Sequence, residues 1–204
     1  MKNEKTIILI RHGRTAANVK GIYIGCRSDV PLSDTGIQEI EEKSGIIREA
    51  AGDAMIFSSP LKRARDTAAL LFPGRDIQIE ELMKEFDFGD FEGKSAAELG
   101  DDNDYMKWVD SNATLPVPGG DDRESFSKRV IGGLHNIIKG SKDADRIAIV
   151  CHGGNIMAIM SSLAGGDYYD HMSDNLDGFV IDTVVDDERI SVVSYRRIGG
   201  GAGS

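Results

Sequence analysis

Cysteine is almost absent from this chain: two of 204 residues, Cys26 and Cys151. Such a pair cannot form a disulfide framework. Five prolines and 6% aromatics leave no Pro-rich tract. No apolar run approaches the roughly 20 residues that a membrane span needs. Positive charge is also in deficit, with 24 Lys and Arg against 34 Asp and Glu and a net charge of −10. That balance argues against nucleic acid and against an anionic membrane surface as partners. The opening MKNEKTIILIRHG carries an apolar stretch of about five residues that runs straight into Arg11 and His12, unlike an export signal. With so little cysteine, the expected location is a reducing cytoplasm. The pattern carries no signature of an oligomeric state.

What the chain does have is an apolar fraction of 40%, enough for a sizeable core. Short apolar runs predict strands over 6–10, 54–57, 147–150, 178–185 and 190–195. Between them, capping residues and 3.6-type spacing predict helices over 33–51, 60–71, 125–139 and 155–163. Strands alternating with helices imply a mostly parallel sheet covered on both faces. The last two strands are close enough for a hairpin, so the sheet should be mixed, with an antiparallel edge. The expected fold is therefore α/β, a three-layer α/β/α sandwich built as one domain over residues 1–198. Residues 83–118 are less regular and read as an excursion or lid. The Gly-rich end, 199–204, reads as a flexible tail.

In open α/β sheets, ligands bind beyond the carboxyl ends of the strands. The first run is followed by Arg11 and His12, with Arg14 close behind. The second leads into Ser58-Ser59-Pro60 and then Lys62, Arg63 and Arg65. The third ends in Cys151-His152-Gly153-Gly154. If these strands are parallel neighbours, Arg11, His12, Arg63 and His152 converge at one edge. Taken singly, each motif is ordinary: a solvated turn, a core histidine, the wet face of a helix. Together they form a cationic cluster inside an acidic protein, and such a cluster suits a phosphoryl group. Arginine forks match its oxygens, and helix N-termini add partial positive charge. A neutral imidazole can attack phosphorus. The leaving alcohol then needs a proton, for which EFDFGDFEG offers Glu85, Asp87, Asp90 and Glu92.

Other phosphate chemistries lack their motifs. There is no Gly-x-x-x-x-Gly-Lys-Ser/Thr loop. Neither cysteine has an arginine six residues later. No Asp-x-Asp closes an early strand, and there is no His-Glu-x-x-His. Cys151 and His152 would point to opposite faces of a strand, which disfavours a shared metal. No metal and no cofactor are expected.

LIRHGRTAAN resembles the signature of the histidine phosphatase superfamily, the phosphoglycerate-mutase-like enzymes. SSPLKRARDTA is similar to that family's second arginine segment, EFDFGDFEG to its acid segment, and IVCHGG to its second histidine motif. PGGDDRESFSKRV resembles its PGGES helix start, with Asp121-Asp122-Arg123 as an interruption. The resemblance implies a phosphoglycerate-mutase-like fold and a metal-independent reaction through a phosphohistidine. It makes His12 the nucleophile and Glu85 the proton donor. Arg11, Arg63, His152 and Asn18 become ligands of the phosphoryl group, and Glu92 a structural residue. Arg14 departs from the family's frequent glutamate and is expected to bear on the substrate. The short span between Gly93 and Pro118 favours a phosphatase over a phosphoglycerate mutase. GIYIGCRSDVPLSDTG is similar to a pattern of α-ribazole phosphatases in cobalamin synthesis, so α-ribazole 5′-phosphate is the candidate substrate. The alternatives are a cofactor-dependent mutase and a catalytically silent phospholigand-binding protein. The completeness of the site speaks against the latter.

Overall fold

The computed structural model describes residues 3–186 and 189–198. Six strands form one sheet in the order β3-β2-β4-β1-β5-β6. They are β1 (Asn3–Arg11), β2 (Met55–Ser58), β3 (Ile77–Ile79), β4 (Arg146–Cys151), β5 (Gly178–Asp186) and β6 (Arg189–Arg197). The first four in space run parallel, while β5 pairs antiparallel with both β1 and β6. The mixed sheet with an antiparallel edge is thus present. Asp186 and Arg189 pair across the hairpin. Its two turn residues, like the tail 199–204, lie outside the described residues.

Alternation along β1 builds both cores. Ile7 and Leu9 face a cluster with Phe126, Val130 and Leu134 of α5 (Arg123–Gly140) and Ile156 and Ile159 of α6 (Gly153–Ala164). Ile8 and Ile10 face the opposite cluster, with Ile40 and Ile47 of α2 (Asp34–Ala51) and Ala64, Ala68 and Leu71 of α3 (Lys62–Leu71). All four strand residues are fully buried, which explains why β1 reads as a continuous apolar run. Among the described residues, no helix is long and apolar enough to cross a membrane.

The helix starts differ from expectation. α6 begins at Gly153, because the two glycines form its first turn rather than a loop. α5 begins at Arg123, two residues before the expected start at Ser125. Asp122 is the N-cap and accepts from the Ser125 N–H at 2.8 Å. The one-turn α1 (Ala16–Val19) and β3 were not anticipated, and the 83–118 excursion contains the helix α4 (Asn103–Asp110).

Candidate active site

Because β4 lies between β1 and β2, three strand ends meet. Arg11 is in register with Cys151, and Ser58 with Val150. The His12 N–H donates to the Cys151 carbonyl at 3.0 Å and the Ser59 N–H to the Val150 carbonyl at 2.9 Å. The parallel neighbours supposed from sequence are therefore present, and they bring Arg11, His12, Arg63 and His152 together.

Arg63 is 1% exposed, yet its guanidinium donates only to the backbone carbonyls of Ser28 and Gly25, at 3.0 and 3.1 Å. Arg11 donates to the Ser173 carbonyl at 2.5 Å, while its buried Nε has no partner. Neither guanidinium has a carboxylate within 4.0 Å among the described residues. Burial pulls both pKa values down and Glu85 opposes this, but an arginine stays charged. A buried and a half-buried cation with no carboxylate in ion-pair contact make a site that an oxyanion completes.

His12 is buried, and its Nδ1 lies 2.7 Å from the Gly13 carbonyl oxygen. A carbonyl only accepts, so Nδ1 carries the proton and the neutral ring's Nε2 keeps its lone pair. Burial first, then Arg63, holds the His12 pKa well below the usual histidine value. His152, fully buried, packs edge-on against His12 with ring centroids 5.1 Å apart. Its Nε2 is 2.7 Å from Ser59 Oγ, and its Nδ1 has no partner. Burial, then Arg63, also holds the His152 pKa well down.

Among the four acid candidates, Glu85 alone lines the cavity. Its carboxylate accepts from the Phe86 N–H at 2.9 Å and the Gly154 N–H at 3.3 Å. Burial raises its pKa above the ordinary glutamate value, against the opposing pull of those N–H groups and of Arg63. Asp87 is ion-paired to Arg27 at 2.8 Å, Glu92 accepts from the Gly25 N–H at 3.0 Å, and Asp90 is exposed. Arg129 holds the Glu85 loop by donating to the carbonyls of Leu82, Lys84 and Glu85 at 2.8–3.2 Å.

Asn18 lines the cavity and caps α1. Its Oδ1 accepts from the Thr15 N–H at 3.0 Å, which leaves the amide NH2 to offer an anion. Arg14 is not brought to the site. Its Nε pairs with Glu39 of α2 at 3.1 Å, and Arg14 is not among the residues that line the cavity. Glu39 thus meets the extra positive charge of the RHGR motif, and the cavity lining lends no support to the expectation that Arg14 contacts substrate.

The cavity holds about 500 Å³. Its inner end is the Arg/His cluster. Its outer wall is aromatic, formed by Tyr23, Phe86, Phe88, Tyr105, Trp108, Tyr168 and Tyr169. Tyr105 and Trp108 come from α4, inside the segment read as an excursion. Sequence reading assigned no role in the site to Ser59, Arg129, Arg123 or the aromatic wall. Ser59 directly follows a strand end, a position that could have flagged it.

A family model described as histidine phosphatase superfamily (branch 1) matches residues 7–185. The chain is 33% identical over 165 residues to the 2,3-bisphosphoglycerate-dependent phosphoglycerate mutase of Cytophaga hutchinsonii, covering 77% of this chain and 76% of that protein. It is 31% identical over 159 residues to the adenosylcobalamin/alpha-ribazole phosphatase of Salmonella typhimurium, covering 76% and 77%. Among solved structures, a phosphoserine phosphatase from Entamoeba histolytica, in complex with 3-phosphoglyceric acid, is similar at a TM-score of 0.77 and 27% identity. That match covers 94% of this chain and 96% of the other.

Proposed function

Because the chain belongs to the histidine phosphatase superfamily, we propose that it is a metal-independent phosphomonoester hydrolase working through a phosphohistidine at His12. The observation that carries this reading is a buried Arg63 and a half-buried Arg11, neither with a carboxylate within 4.0 Å among the described residues, beside an imidazole whose Nε2 is unprotonated. Arg11, Arg63 and the Asn18 amide hold the phosphoryl oxygens, and the arginines stabilise the charge spread over them in transfer. His12 Nε2 attacks phosphorus, the phosphorus–oxygen ester bond breaks, and the Glu85 proton passes to the leaving alcohol. The resulting Glu85 carboxylate takes a proton from a water, whose oxygen attacks phosphorus and breaks the phosphorus–nitrogen bond. Inorganic phosphate and neutral His12 remain. Ser59 donates to His152 Nε2 and so leaves Nδ1–H for the phosphoryl group as it settles on His12.

The substrate is a small phosphorylated metabolite of a cytoplasmic protein. The aromatic wall accepts a flat ring such as the base of α-ribazole 5′-phosphate, but Arg123 on the same lining discriminates against a neutral base. A mutase reading has the Cytophaga relative on its side. Against it, the cavity lining beyond the Arg/His cluster offers one further cation where a bisphosphate brings a second dianion.

Acid-labile phosphate should be trapped on His12 during turnover of p-nitrophenyl phosphate, and His12→Ala should abolish both adduct and turnover. A chelator should leave the rate unchanged. Loss of activity with the chelator and recovery with a divalent ion would overturn the metal-independent reading. Conversion of 3-phosphoglycerate to its isomer, with little free phosphate, would make the protein a mutase.

A further inference from the structure

Arg123 is not absorbed by that chemistry. It lines the same cavity at the end formed by α4, where its Nη1 donates to the Asn112 carbonyl at 3.1 Å. Its guanidinium lies over the Tyr168 ring, 5.4 Å from the centroid. Tyr168 in turn donates from its hydroxyl to the Gly154 carbonyl at 3.3 Å. One tyrosine ring thus separates Arg123 from the glycine whose N–H holds Glu85. Nothing else holds the Arg123 guanidinium: no carboxylate lies within 4.0 Å among the described residues, and Nε and Nη2 make no hydrogen bond.

We propose that Arg123 binds a carboxylate on the alcohol part of the substrate, so that the preferred substrates are phosphorylated hydroxy or amino acids. The proposal rests on the phosphatase reading and names the substrate class of that site. Stacking on Tyr168 and the Asn112 bond fix the guanidinium plane, which leaves the Nε–Nη2 edge as a fork of the shape a carboxylate accepts. Charge decides between anions. The phosphoryl group has two arginines and a histidine pair at its end of the cavity. The α4 end has one guanidinium among aromatic rings, which matches a monoanion and not a second phosphate dianion. A neutral base such as that of α-ribazole would leave this fork without a partner.

The test compares matched substrates: phosphoserine against phosphoethanolamine, and 3-phosphoglycerate against glycerol 3-phosphate, with α-ribazole 5′-phosphate and 2,3-bisphosphoglycerate alongside. A charge-assisted pair is worth on the order of 10- to 100-fold in kcat/KM. The protein should prefer the carboxylate member of each pair by that factor, with the preference carried mainly in KM. Arg123→Gln should collapse the ratio towards one, and Arg123→Lys should retain part of it. A ratio unchanged in Arg123→Gln, or a preference for α-ribazole 5′-phosphate or the bisphosphate, would overturn the proposal. If no phosphomonoester is hydrolysed, p-nitrophenyl phosphate included, the phosphatase reading is what fails. Binding of 3-phosphoglycerate by calorimetry then decides on Arg123: unweakened binding in Arg123→Gln sinks it.

Discussion

His12 has to act as a nucleophile while standing beside two guanidiniums. Ordinarily an imidazole is half protonated near pH 6.5, and a protonated ring cannot attack phosphorus. Burial and Arg63 remove that difficulty by disfavouring the imidazolium. Glu85 has the opposite requirement, since it must hold a proton, and burial again supplies it. The same dry cavity floor therefore pushes an acid and a base in the directions their tasks need. The sign of the pH dependence follows. Activity should rise with pH through a His12 pKa below 6.5, and fall through a Glu85 pKa above 4.5. In Glu85→Gln the alkaline limb contributed by Glu85 should vanish, while any limb from the substrate's own ionisation persists in both proteins. Turnover of an alkyl phosphate should drop about 100- to 10,000-fold, and that of p-nitrophenyl phosphate far less, since its alcohol needs little protonation. An unaltered alkaline limb in the variant would place the proton donor elsewhere.

At the scale of elements, the start of α6 holds the site together. Gly153 lies against the Arg11 guanidinium, and Gly154 donates to Glu85. A Cβ on Gly154 would collide with Glu85 Oε1, the movable end of that side chain, and press on Phe126 at 3.1 Å. Gly154→Ala should therefore displace the proton donor without emptying the phosphate site. Hydrolysis of an alkyl phosphate should fall at least ~10-fold more than binding of inorganic phosphate. Equal losses in both would mean that the helix start itself had moved. This element also shows where sequence reasoning stops. A glycine pair ordinarily signals a loop, and here it opens a helix in which Gly154 leaves the room that Glu85 occupies. The five strands read from sequence are long or fully buried, so their apolar runs stand out. β3 has three residues, none of them buried, and leaves no such run. α4 shows a buried side only at Tyr105 and Trp108, amid acidic neighbours that read as solvation. The inner site was legible because each of its residues directly follows a strand or opens the helix after it. The outer wall was not, because it is assembled from Tyr23 after α1, the segment with Phe86 and Phe88, α4 and the turn after α6, whose meeting no local pattern encodes.

For the whole molecule, the net charge of −10 hides a cationic pocket, in which Arg63 is buried, Arg11 is half-buried with its Nε enclosed, and neither has a carboxylate within 4.0 Å among the described residues. Such charges weigh against the folded state until a ligand compensates them. Phosphate should thus act as a missing part of the fold, and the gain should be largest where nothing else titrates. For His12 and His152 the folded pKa lies below the unfolded value near 6.5. Between those two values the unfolded chain binds more protons, so stability climbs with pH and this contribution is complete above 6.5. At pH 7.5 both rings are neutral in either state, and a ligand effect can be read without them. Inorganic phosphate at 100 times its Kd should add about 2.7 kcal/mol, which for a chain of this length is a rise of roughly 5–10 °C in Tm. Arg63→Met keeps the apolar length of the side chain and removes the charge, so its own Tm can move either way: two backbone carbonyls lose their donor while an uncompensated cation disappears. The shift is what discriminates. It should shrink to a degree or two in the variant, the part that any excluded, kosmotropic anion produces. A shift of equal size in both proteins would show that phosphate stabilises the surface rather than the pocket cations, and the anion cage would then have to be abandoned.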